Sequence, residues 1–293
     1  MRELRNGQGL TEAEFLAAYR PGDYERPSVT ADVVLFTLGP ARQLQVLLIR
    51  RGDHPCLGQW ALPGGFVNMD EGLEAAARRE LAEETAVTDC WLEQLHTYGD
   101  VGRDPRTRII TCTFLALADR RRLKVCAGDD AEEARWFSLE AERVKETASG
   151  PAGSKRTRQH RLTLRGGGQC LQATLETRWT WQGGAVRTDR RILDGGGIAF
   201  DHALMLLTGL QRLREGIFDT PMAFSLVGEL FTLDELQQAF EQVLGTPLAR
   251  GHFRRKMAGR VLATDGYRAE AGRRPERLYR AEPRWQAPQE GLL

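Results

Sequence analysis

One short segment constrains this chain more than any other. Residues 64–87 read GGFVNMDEGLEAAARRELAEETAV, in which adjacent glycines precede a run of strong helix formers. In such a helix Glu80, Glu83 and Glu84 stand at positions i, i+3 and i+4, so three carboxylates share one face. Clustered carboxylates repel one another, and Mg²⁺ or Mn²⁺ relieves this because hard cations take oxygen ligands. The segment therefore predicts a site for a divalent cation and a phosphate-bearing ligand.

The residues around these glutamates have supporting roles in this interpretation. Adjacent glycines in a strand-to-helix loop let backbone approach a cation or phosphate, so Gly65 is a candidate metal contact. Arg79 is placed to fix the orientation of a neighbouring carboxylate. The alternative is an ordinary exposed helix with Arg–Glu pairs. Such a helix requires neither the preceding LPGG loop nor this spacing, which favours the metal site.

The whole chain is typical of a protein with two modest domains. It has 293 residues and a net charge of +1, and its N-terminus has no apolar signal-like core. No apolar run approaches the roughly 18 to 20 residues of a membrane span. Its five cysteines are scattered without a CxxC pair, which indicates reduced thiols in a cytoplasmic protein.

Residues 1–146 show strands that alternate with helices. ADVVLF, LQVLLI, RIITCTFLAL and ARWFSL are strand-like apolar runs, and DEGLEAAARRELAEETA is helical. This order predicts an α/β/α sandwich around a mixed sheet, complete by about residue 145.

Residues 147–198 have a different character. The stretch 147–160 is small, polar and basic, which is typical of an exposed linker. CLQATLETRWTW then alternates apolar and polar residues between glycine turns, which predicts a three-stranded antiparallel meander. Such a meander is too small to be stable alone, so its apolar face is expected to pack on a neighbour.

Residues 199–293 return to helical periodicity. Leu204, Leu207, Leu210 and Leu213 form one stripe, and a second helix begins at Thr232 with a capping box. A third helix is expected near 252–260, followed by a hairpin around GYRAEAGRRP. Helices followed by a small basic hairpin are the order of a winged helix-turn-helix.

The near-zero net charge conceals an asymmetry. Residues 1–146 carry a net −6, residues 147–198 a net +6, and 250–280 contain 10 basic and 3 acidic residues. The candidate DNA contacts are Arg250, His252, Arg254, Arg255 and Lys256 on the third helix and Arg274 in the wing. A helix of this kind can enter a major groove while the wing binds phosphates. The alternatives are a charged surface or a dimer contact.

The acidic segment resembles the Nudix box. Gly65, Glu71, Arg79-Glu80, Leu81 and Glu83-Glu84 all match its pattern, and only Ala86 departs from the closing glycine. The resemblance implies the Nudix fold and hydrolysis of a nucleoside diphosphate linked to another group. It further implies that Glu80, Glu83 and Glu84 bind metal, that Glu83 or Glu84 acts as base, and that Arg79 orients them. Glu71 is then expected to support the loop and to belong to the substrate site. Ala86 leaves turnover as the open question.

Two arginine-bearing segments flank the box. They contain Arg50, Arg51, Arg103 and Arg106, whose guanidinium groups suit diphosphate or ribose oxygens, although ordinary turn roles are the alternative. Trp60 is a candidate for stacking on a base, with a place in the core as the favoured alternative. RRGDHPCLGQWALPGGFV and YGDVGRDPRTR are similar to Nudix proteins that bind or hydrolyse ADP-ribose.

The C-terminal part resembles the Nudix-related transcriptional regulators of NAD metabolism (NrtR type). AFDHALMLL, GELFTLDELQQAFEQVLGTPL, RGHFRRKM and GRRPERLYR carry this similarity. It implies an ADP-ribose-sensing Nudix domain coupled to a winged helix that binds operator DNA as a homodimer. The resemblance spans about 30–145 and 199–281, so residues 147–198 are expected to be an insertion. The alternative is a plain ADP-ribose pyrophosphatase-like hydrolase whose C-terminal domain serves dimerisation.

Overall fold

The structure, a computed structural model, describes residues 4–85, 87–88, 90–123, 131–269 and 275–286. Two residues singled out in the sequence, Ala86 and Arg274, lie outside the described residues. Among the helices in the described ranges, none combines the length and apolar character that crossing a membrane requires.

A large mixed sheet forms the centre of the molecule. Eight strands follow the order β10-β9-β8-β7-β2-β1-β6-β5, with short β3 beside β2 and β4 beside β1. Their bounds are β1 Ser28–Leu38, β2 Leu44–Arg51, β3 Trp60–Ala61, β4 Gly64–Phe66, β5 Trp91–Tyr98, β6 Ile109–Leu117, β7 Ala131–Ser149, β8 Lys155–Gly166, β9 Gln169–Gln182 and β10 Ala185–Asp194. Strands β1 and β6 run parallel, and the other neighbouring pairs are antiparallel.

Helices cover both faces of this sheet. Because successive side chains of a strand point to opposite faces, Val33 of β1 packs with Leu81 of α2 (Leu73–Thr85). Val34 packs on the other face with Leu206 of α3 (His202–Gly216). The predicted α/β/α arrangement with a mixed sheet is confirmed. The second helical layer, however, comes from α3, beyond the first 145 residues that were expected to supply the whole sandwich.

The segment expected to be a linker is a hairpin instead. Strands β7 and β8 pair from Ser138 opposite Arg165 to Ser149 opposite Lys155, around the 3₁₀ turn Pro151–Gly153. Ion pairs from Arg156 and Arg158 to Glu146 hold its strands together. The linker prediction was wrong because the polar composition of a solvent-facing hairpin is the same as that of an exposed linker.

The predicted antiparallel meander is present as β8, β9 and β10. Its apolar side chains Leu162, Leu164, Ala173 and Leu175 are fully buried and join the core cluster that contains α3. The meander therefore extends the central sheet and is stabilised by the packing that its sequence required.

The C-terminal unit is a winged helix, as predicted. Its elements are a 3₁₀ helix Pro221–Leu226, α4 Leu233–Leu244, α5 Arg250–Met257, β11 Val261–Arg268, β12 Glu276–Ala281 and α6 Pro283–Gln286. Helix α5 begins two residues before the expected start and ends at Met257, ahead of Gly259, whose φ is +80°. Phe240 and Phe253 pack edge-to-face with ring centroids 5.2 Å apart and join α4 to α5.

The winged helix and the sheet share one core. Helix α3 packs on the sheet, and its buried leucines belong to the same cluster as Phe240 and Phe253. Arg42, in the β1–β2 turn, also pairs with Glu235 of α4 at 2.7 Å. Helix α3, which sequence analysis placed in the C-terminal domain, therefore contacts both units.

Capping of α4 provides a test of how the winged helix is stabilised. Thr232 caps the helix reciprocally with Glu235, and α4 buries Leu236 and Phe240. We expect Thr232→Ala to lower the free energy of unfolding by about 1 kcal/mol in urea denaturation. The matched control is Thr11→Ala in the other capping box, that of α1 (Glu12–Ala18), which buries no residue. Equal losses in the two variants would contradict this account.

Candidate nucleotide and DNA sites

A cleft of about 470 Å³ lies between the β3–β4 loop, helix α2 and the segment before α3. Charged groups of both signs face it. The acidic lining residues include Asp32, Glu80, Glu83, Glu84 and Asp104, and the basic ones are Arg51, Arg79, Arg103 and Arg106. Phe66, Phe200 and His202 contribute aromatic surface. The acidic segment and three of the four flanking arginines therefore meet at one cleft.

Arg79 donates hydrogen bonds to three glutamates of the acidic segment. Its Nε and Nη2 atoms donate to the two carboxylate oxygens of Glu71 at 3.1 and 2.7 Å, and Nη2 also donates to the Phe66 carbonyl. Its Nη1 donates to Glu80 at 2.7 Å and to Glu83 at 3.1 Å. The hydrogen bonds from Arg79 and from the Asn68 backbone lower the pKa of Glu71 to about 2. One guanidinium thus joins the loop to the helix.

The three glutamates of the box differ in their surroundings. Glu80 is almost buried, and burial raises its pKa although its hydrogen bond with Arg79 opposes the change. Glu83 is exposed over 58% of its side chain, while Glu84 accepts a hydrogen bond from the Gly64 amide at 3.2 Å. The carboxylate of Glu80 lies within 3 Å of where a Cβ on Gly65 would stand, so a side chain at that position would displace it.

The donor chemistry of this group fits a hard divalent cation. Carboxylate oxygens and a loop carbonyl are the ligands that Mg²⁺ and Mn²⁺ prefer. Within the described ranges, no three carboxylate, imidazole or thiol groups converge closely enough to hold a metal ion. Arg79 instead compensates the charge of Glu80 and Glu83. Glu80, Glu83 and Glu84, with the Gly65 carbonyl, are the oxygen donors that the cleft offers to such a cation.

The flanking arginines divide into two groups. Arg51, Arg103 and Arg106 line the cleft, whereas Arg50 lies outside it and donates to the Gly58 carbonyl at 3.3 Å. Arg106 forms a two-pronged ion pair with Asp104 in its own loop. These cleft arginines are already bonded to protein acceptors or rings, so an anionic ligand must compete for them.

Sequence analysis did not single out several residues of the cleft. Asp32 is a lone acid in an apolar strand, and it accepts a hydrogen bond from Thr111 at 2.6 Å. An ionisable residue in a buried run was the available signal for it. Phe200 and His202 gave no such signal, because they belong to a segment that reads as the start of a core helix.

Trp60 belongs to the core. Only 3% of it is exposed, its ring packs edge-on against Phe137 at 4.8 Å, and its Nε1 donates to Gln169 at 2.9 Å. A base could not stack on a ring enclosed in this way.

Titration of His202 links the pH to folding stability. This residue is fully buried, and its Nδ1 accepts the Leu62 amide proton at 2.8 Å. Burial lowers its pKa below the usual 6.5, so the unfolded chain binds this proton more readily than the folded one. Its contribution to stability is therefore full above about pH 6.5 and is lost as the pH falls below that value.

We expect this loss to reach at most about 1.4 kcal/mol per pH unit. His202→Asn keeps an acceptor for the Leu62 amide but does not titrate, so its stability should fall less steeply with acidification. Urea denaturation of both proteins from pH 7 to pH 5 measures the two slopes. Identical slopes would show that His202 carries no such linkage.

Helix α5 exposes all five of its candidate DNA contacts. Arg250, His252, Arg254, Arg255 and Lys256 are exposed, while Phe253 and Met257 face the core. Arg250 pairs with Asp234 at 2.8 Å, and Arg254 approaches the same carboxylate at 3.5 Å. Lys256 lies over the Phe218 ring, 3.9 Å from its centroid. Three of the candidate DNA contacts, Arg250, Arg254 and Lys256, therefore already have a partner within the protein.

The wing follows directly as strands β11 and β12. Arg268 pairs with Glu235 of α4, and Arg277 donates to the Thr264 carbonyl at 2.8 Å. Arg280 is exposed on β12. In the described part of the wing, Arg268 and Arg277 thus bond to the protein, while Arg280 is exposed on the surface.

Comparisons with known proteins support both halves of this architecture. Residues 27–156 match the NUDIX domain family, and residues 223–281 match the NrtR DNA-binding winged helix domain family. The chain is 32% identical over 274 residues to the ADPR responsive transcriptional repressor NtrR of Acinetobacter baylyi, covering 92% of this chain and 88% of that protein. It is 38% identical over 116 residues to the ADP-ribose pyrophosphatase of Methanocaldococcus jannaschii, covering 40% of this chain and 64% of that enzyme.

A solved structure is similar over most of the chain. The NrtR of Shewanella oneidensis, complexed with a 27mer DNA, gives a TM-score of 0.59 at 29% identity. The similarity covers 88% of this chain and 95% of that one.

The fold and cleft define a Nudix domain joined to a winged helix. With a relative this similar along nearly its whole length, the chain belongs to the NrtR-type family of Nudix-related regulators. Because that alignment covers 92% of this chain, it extends through most of residues 147–198. The similarity to a known regulator is therefore not confined to residues 30–145 and 199–281.

Proposed function

We propose that this protein binds ADP-ribose in the cleft and that the bound nucleotide changes the affinity of the winged helix for operator DNA. The observation that carries the proposal is the cleft itself. It joins the Nudix-box carboxylates to Arg51, Arg103 and Arg106 in a chain that also contains a winged helix.

The cleft suits a nucleoside diphosphate with a second sugar. Guanidinium groups donate to diphosphate oxygens in a fork, and Asp32 and Asp104 offer acceptors for ribose hydroxyls. Phe66 and Phe200 provide aromatic surface on which a base can rest. The Acinetobacter relative is named as responsive to ADPR and the Methanocaldococcus relative as an ADP-ribose pyrophosphatase, which favours this ligand over a nucleoside triphosphate.

We further propose that Mg²⁺ or Mn²⁺ binds at Glu80, Glu83 and Glu84 with the Gly65 carbonyl, and that the protein hydrolyses ADP-ribose. A bound cation would supply charge neutralisation at the diphosphate and a lowered pKa for an attacking water. Glu83 is suited to accept the proton of that water because it is exposed at the cleft. Arg79 holds the carboxylates in place through Glu71 and Glu80.

On the DNA side, His252, Arg254 and Arg255 are proposed to face the major groove while the wing contacts phosphates. Arg250 is proposed to reach the DNA backbone after leaving Asp234, and Arg274, which lies between β11 and β12 in the sequence, to contact it as well. Two copies of the chain would present two such helices to a palindromic operator. The Shewanella NrtR was solved with DNA, which supports assigning this role to the winged helix.

The test is a fluorescence-anisotropy titration of several DNA duplexes taken from the promoter region of the gene that encodes this protein. We expect one duplex to bind at least about 1,000-fold more tightly than random DNA at physiological salt, with affinity that falls as salt rises. Addition of ADP-ribose should weaken that binding by about 10-fold or more. AMP and ATP serve as controls for nucleotide specificity.

The outcomes separate the candidate functions. If no duplex outcompetes random DNA, the regulator proposal is lost. Metal-dependent release of AMP without specific DNA binding would identify a plain hydrolase whose C-terminal domain serves dimerisation. That hydrolase is the second candidate because all three box glutamates are present at the cleft.

A further inference from the structure

Part of the cleft wall is supplied by Phe200 and His202, whose segment 199–202 lies outside both matched families' residue ranges. Two hydrogen bonds attach this segment to strand β3 and the residue after it. The Ala199 amide donates to the Trp60 carbonyl at 2.8 Å, and the Leu62 amide donates to His202 Nδ1 at the same distance. Residues that precede α3 therefore move with the loop that leads to Gly64 and Gly65.

Arg103 connects the ligand side of the cleft to this segment. Its Nε and Nη2 atoms donate to the two carboxylate oxygens of Asp201 at 2.8 and 2.6 Å. Only 6% of the Arg103 side chain and 17% of the Asp201 side chain are exposed. A forked, largely buried pair is among the stronger contacts in proteins, and a diphosphate offers the same forked acceptor to a guanidinium.

Asp201 has an alternative partner at hand. It occupies the N-cap position of α3, where aspartate is strongly preferred, yet its side chain makes no capping hydrogen bond. The pair with Arg103 takes up both carboxylate oxygens instead. If a ligand drew Arg103 away, the freed Asp201 carboxylate could cap α3. The new capping hydrogen bond would offset part of the free energy lost with the buried ion pair.

The neighbouring residue is held in a strained conformation. Phe200 has a φ of +50°, in the left-handed region that residues with a side chain rarely adopt. The Arg51 guanidinium lies 5.1 Å from its ring centroid, on the cleft side. Ligand contact at Arg51 or Phe200 therefore acts on a segment that already stores conformational strain.

Helix α3 carries a displacement of this segment to the winged helix. It is one helix of 15 residues, and near its other end Arg214 Nε donates to the Val243 carbonyl of α4 at 2.8 Å. Its buried leucines share a core with Phe240 and Phe253. A shift or rotation at Asp201 thus reaches the helices that present the DNA-binding surface.

We propose that Arg103 is shared between Asp201 and the ligand's diphosphate, and that its transfer to the diphosphate releases α3 and alters DNA binding. This inference rests on the proposed function and assigns its regulation to one ion pair. In the ligand-free protein Asp201 holds Arg103; in the complex the diphosphate does. Both sites then bias the same two-state element, as energetic coupling requires.

The test compares Asp201→Asn and Asp201→Ser with the wild type. Both substitutions keep a good N-cap residue but remove the charge that competes for Arg103. The matched control is Glu93→Gln. Glu93 lies on β5 and accepts a hydrogen bond from Arg212 of α3 at 3.1 Å, so it also joins the sheet to α3, but it does not line the cleft. Isothermal titration gives the ADP-ribose affinity, and anisotropy with and without ADP-ribose gives the coupling factor.

We expect ADP-ribose to bind the Asp201 variants several-fold more tightly than the wild type and to change their DNA affinity less than threefold. Glu93→Gln should retain the wild-type ligand affinity and coupling. Weaker ligand binding or undiminished coupling in both Asp201 variants would overturn the inference. A wild type that shows no coupling at all would instead overturn the proposed function, so the two failures are distinguishable.

Discussion

Replacement of Gly64 by alanine is expected to abolish binding of ADP-ribose, with a loss of at least about 100-fold in affinity. Gly64 has a φ of +152°, a conformation essentially confined to glycine that costs other residues about 1 to 3 kcal/mol. An added Cβ would also collide with the Ala31 carbonyl and with Asp32 of the neighbouring strand. The β3–β4 loop would have to move, and the Glu84 contact with the Gly64 amide would move with it.

Gly72→Ala is the matched control for this variant. It lies in the same segment, but nothing stands within 4 Å of the position its Cβ would take, and its φ is ordinary. We expect it to bind ADP-ribose as the wild type does. Isothermal titration and circular dichroism of both variants separate loss of the site from loss of the fold. Tight ligand binding by folded Gly64→Ala would show that the loop does not shape the cleft.

Glu83→Gln is expected to lower metal-dependent hydrolysis of ADP-ribose by about 100- to 1,000-fold. The substitution keeps the size of the side chain but removes a carboxylate that faces the cleft, and general-base catalysis typically contributes within this range. The fold should survive, because Glu83 is exposed and contacts Arg79 only from the outside. Release of AMP, measured at saturating Mg²⁺, reports the effect.

Glu74→Gln is the control on the same helix. Glu74 pairs with Arg78 on the solvent side of α2 and does not line the cleft, so its loss should leave the rate unchanged. Equal rates for Glu83→Gln and the wild type would show that Glu83 takes no part in the reaction. If the wild type binds ADP-ribose without releasing AMP, the cleft acts as a sensor and not as an enzyme.

The sequence predicted the sandwich, the meander and the winged helix because each follows from a short-range pattern. Period-two alternation predicts β9, the stripe of leucines predicts α3, and the capping box at Thr232 predicts the start of α4. The carboxylates at i, i+3 and i+4 similarly lie on one helix, so their common face needs no tertiary information.

The remaining features depend on long-range contacts that no local pattern encodes. Helix α3 reads as the first helix of the C-terminal unit, yet its leucines complete the core above β1. His202 accepts a bond from Leu62, and Asp201 meets Arg103, across about a hundred residues of chain or more. Apolar residues of a helix reveal that it packs, but they do not reveal which surface it packs against.

The same limit applies to charge. The sequence marked Arg250 and Lys256 as candidate DNA contacts but did not show their partners in the fold: Lys256 lies over the Phe218 ring and Arg250 pairs with Asp234. Arg50 looked equivalent to Arg51, although only Arg51 lines the cleft. Successive residues of a strand point to opposite sides, so adjacency in sequence separates them in space.

The central claim is that one chain couples a nucleotide site to a DNA site, and reciprocity tests it most directly. Isothermal titration of ADP-ribose into the free protein and into its saturated operator complex yields two affinities. Because linkage is reciprocal, their ratio must equal the factor by which ADP-ribose changes DNA affinity, here about 10-fold or more. We expect weaker ADP-ribose binding to the DNA complex by that same factor; equal affinity in the two titrations would contradict the account.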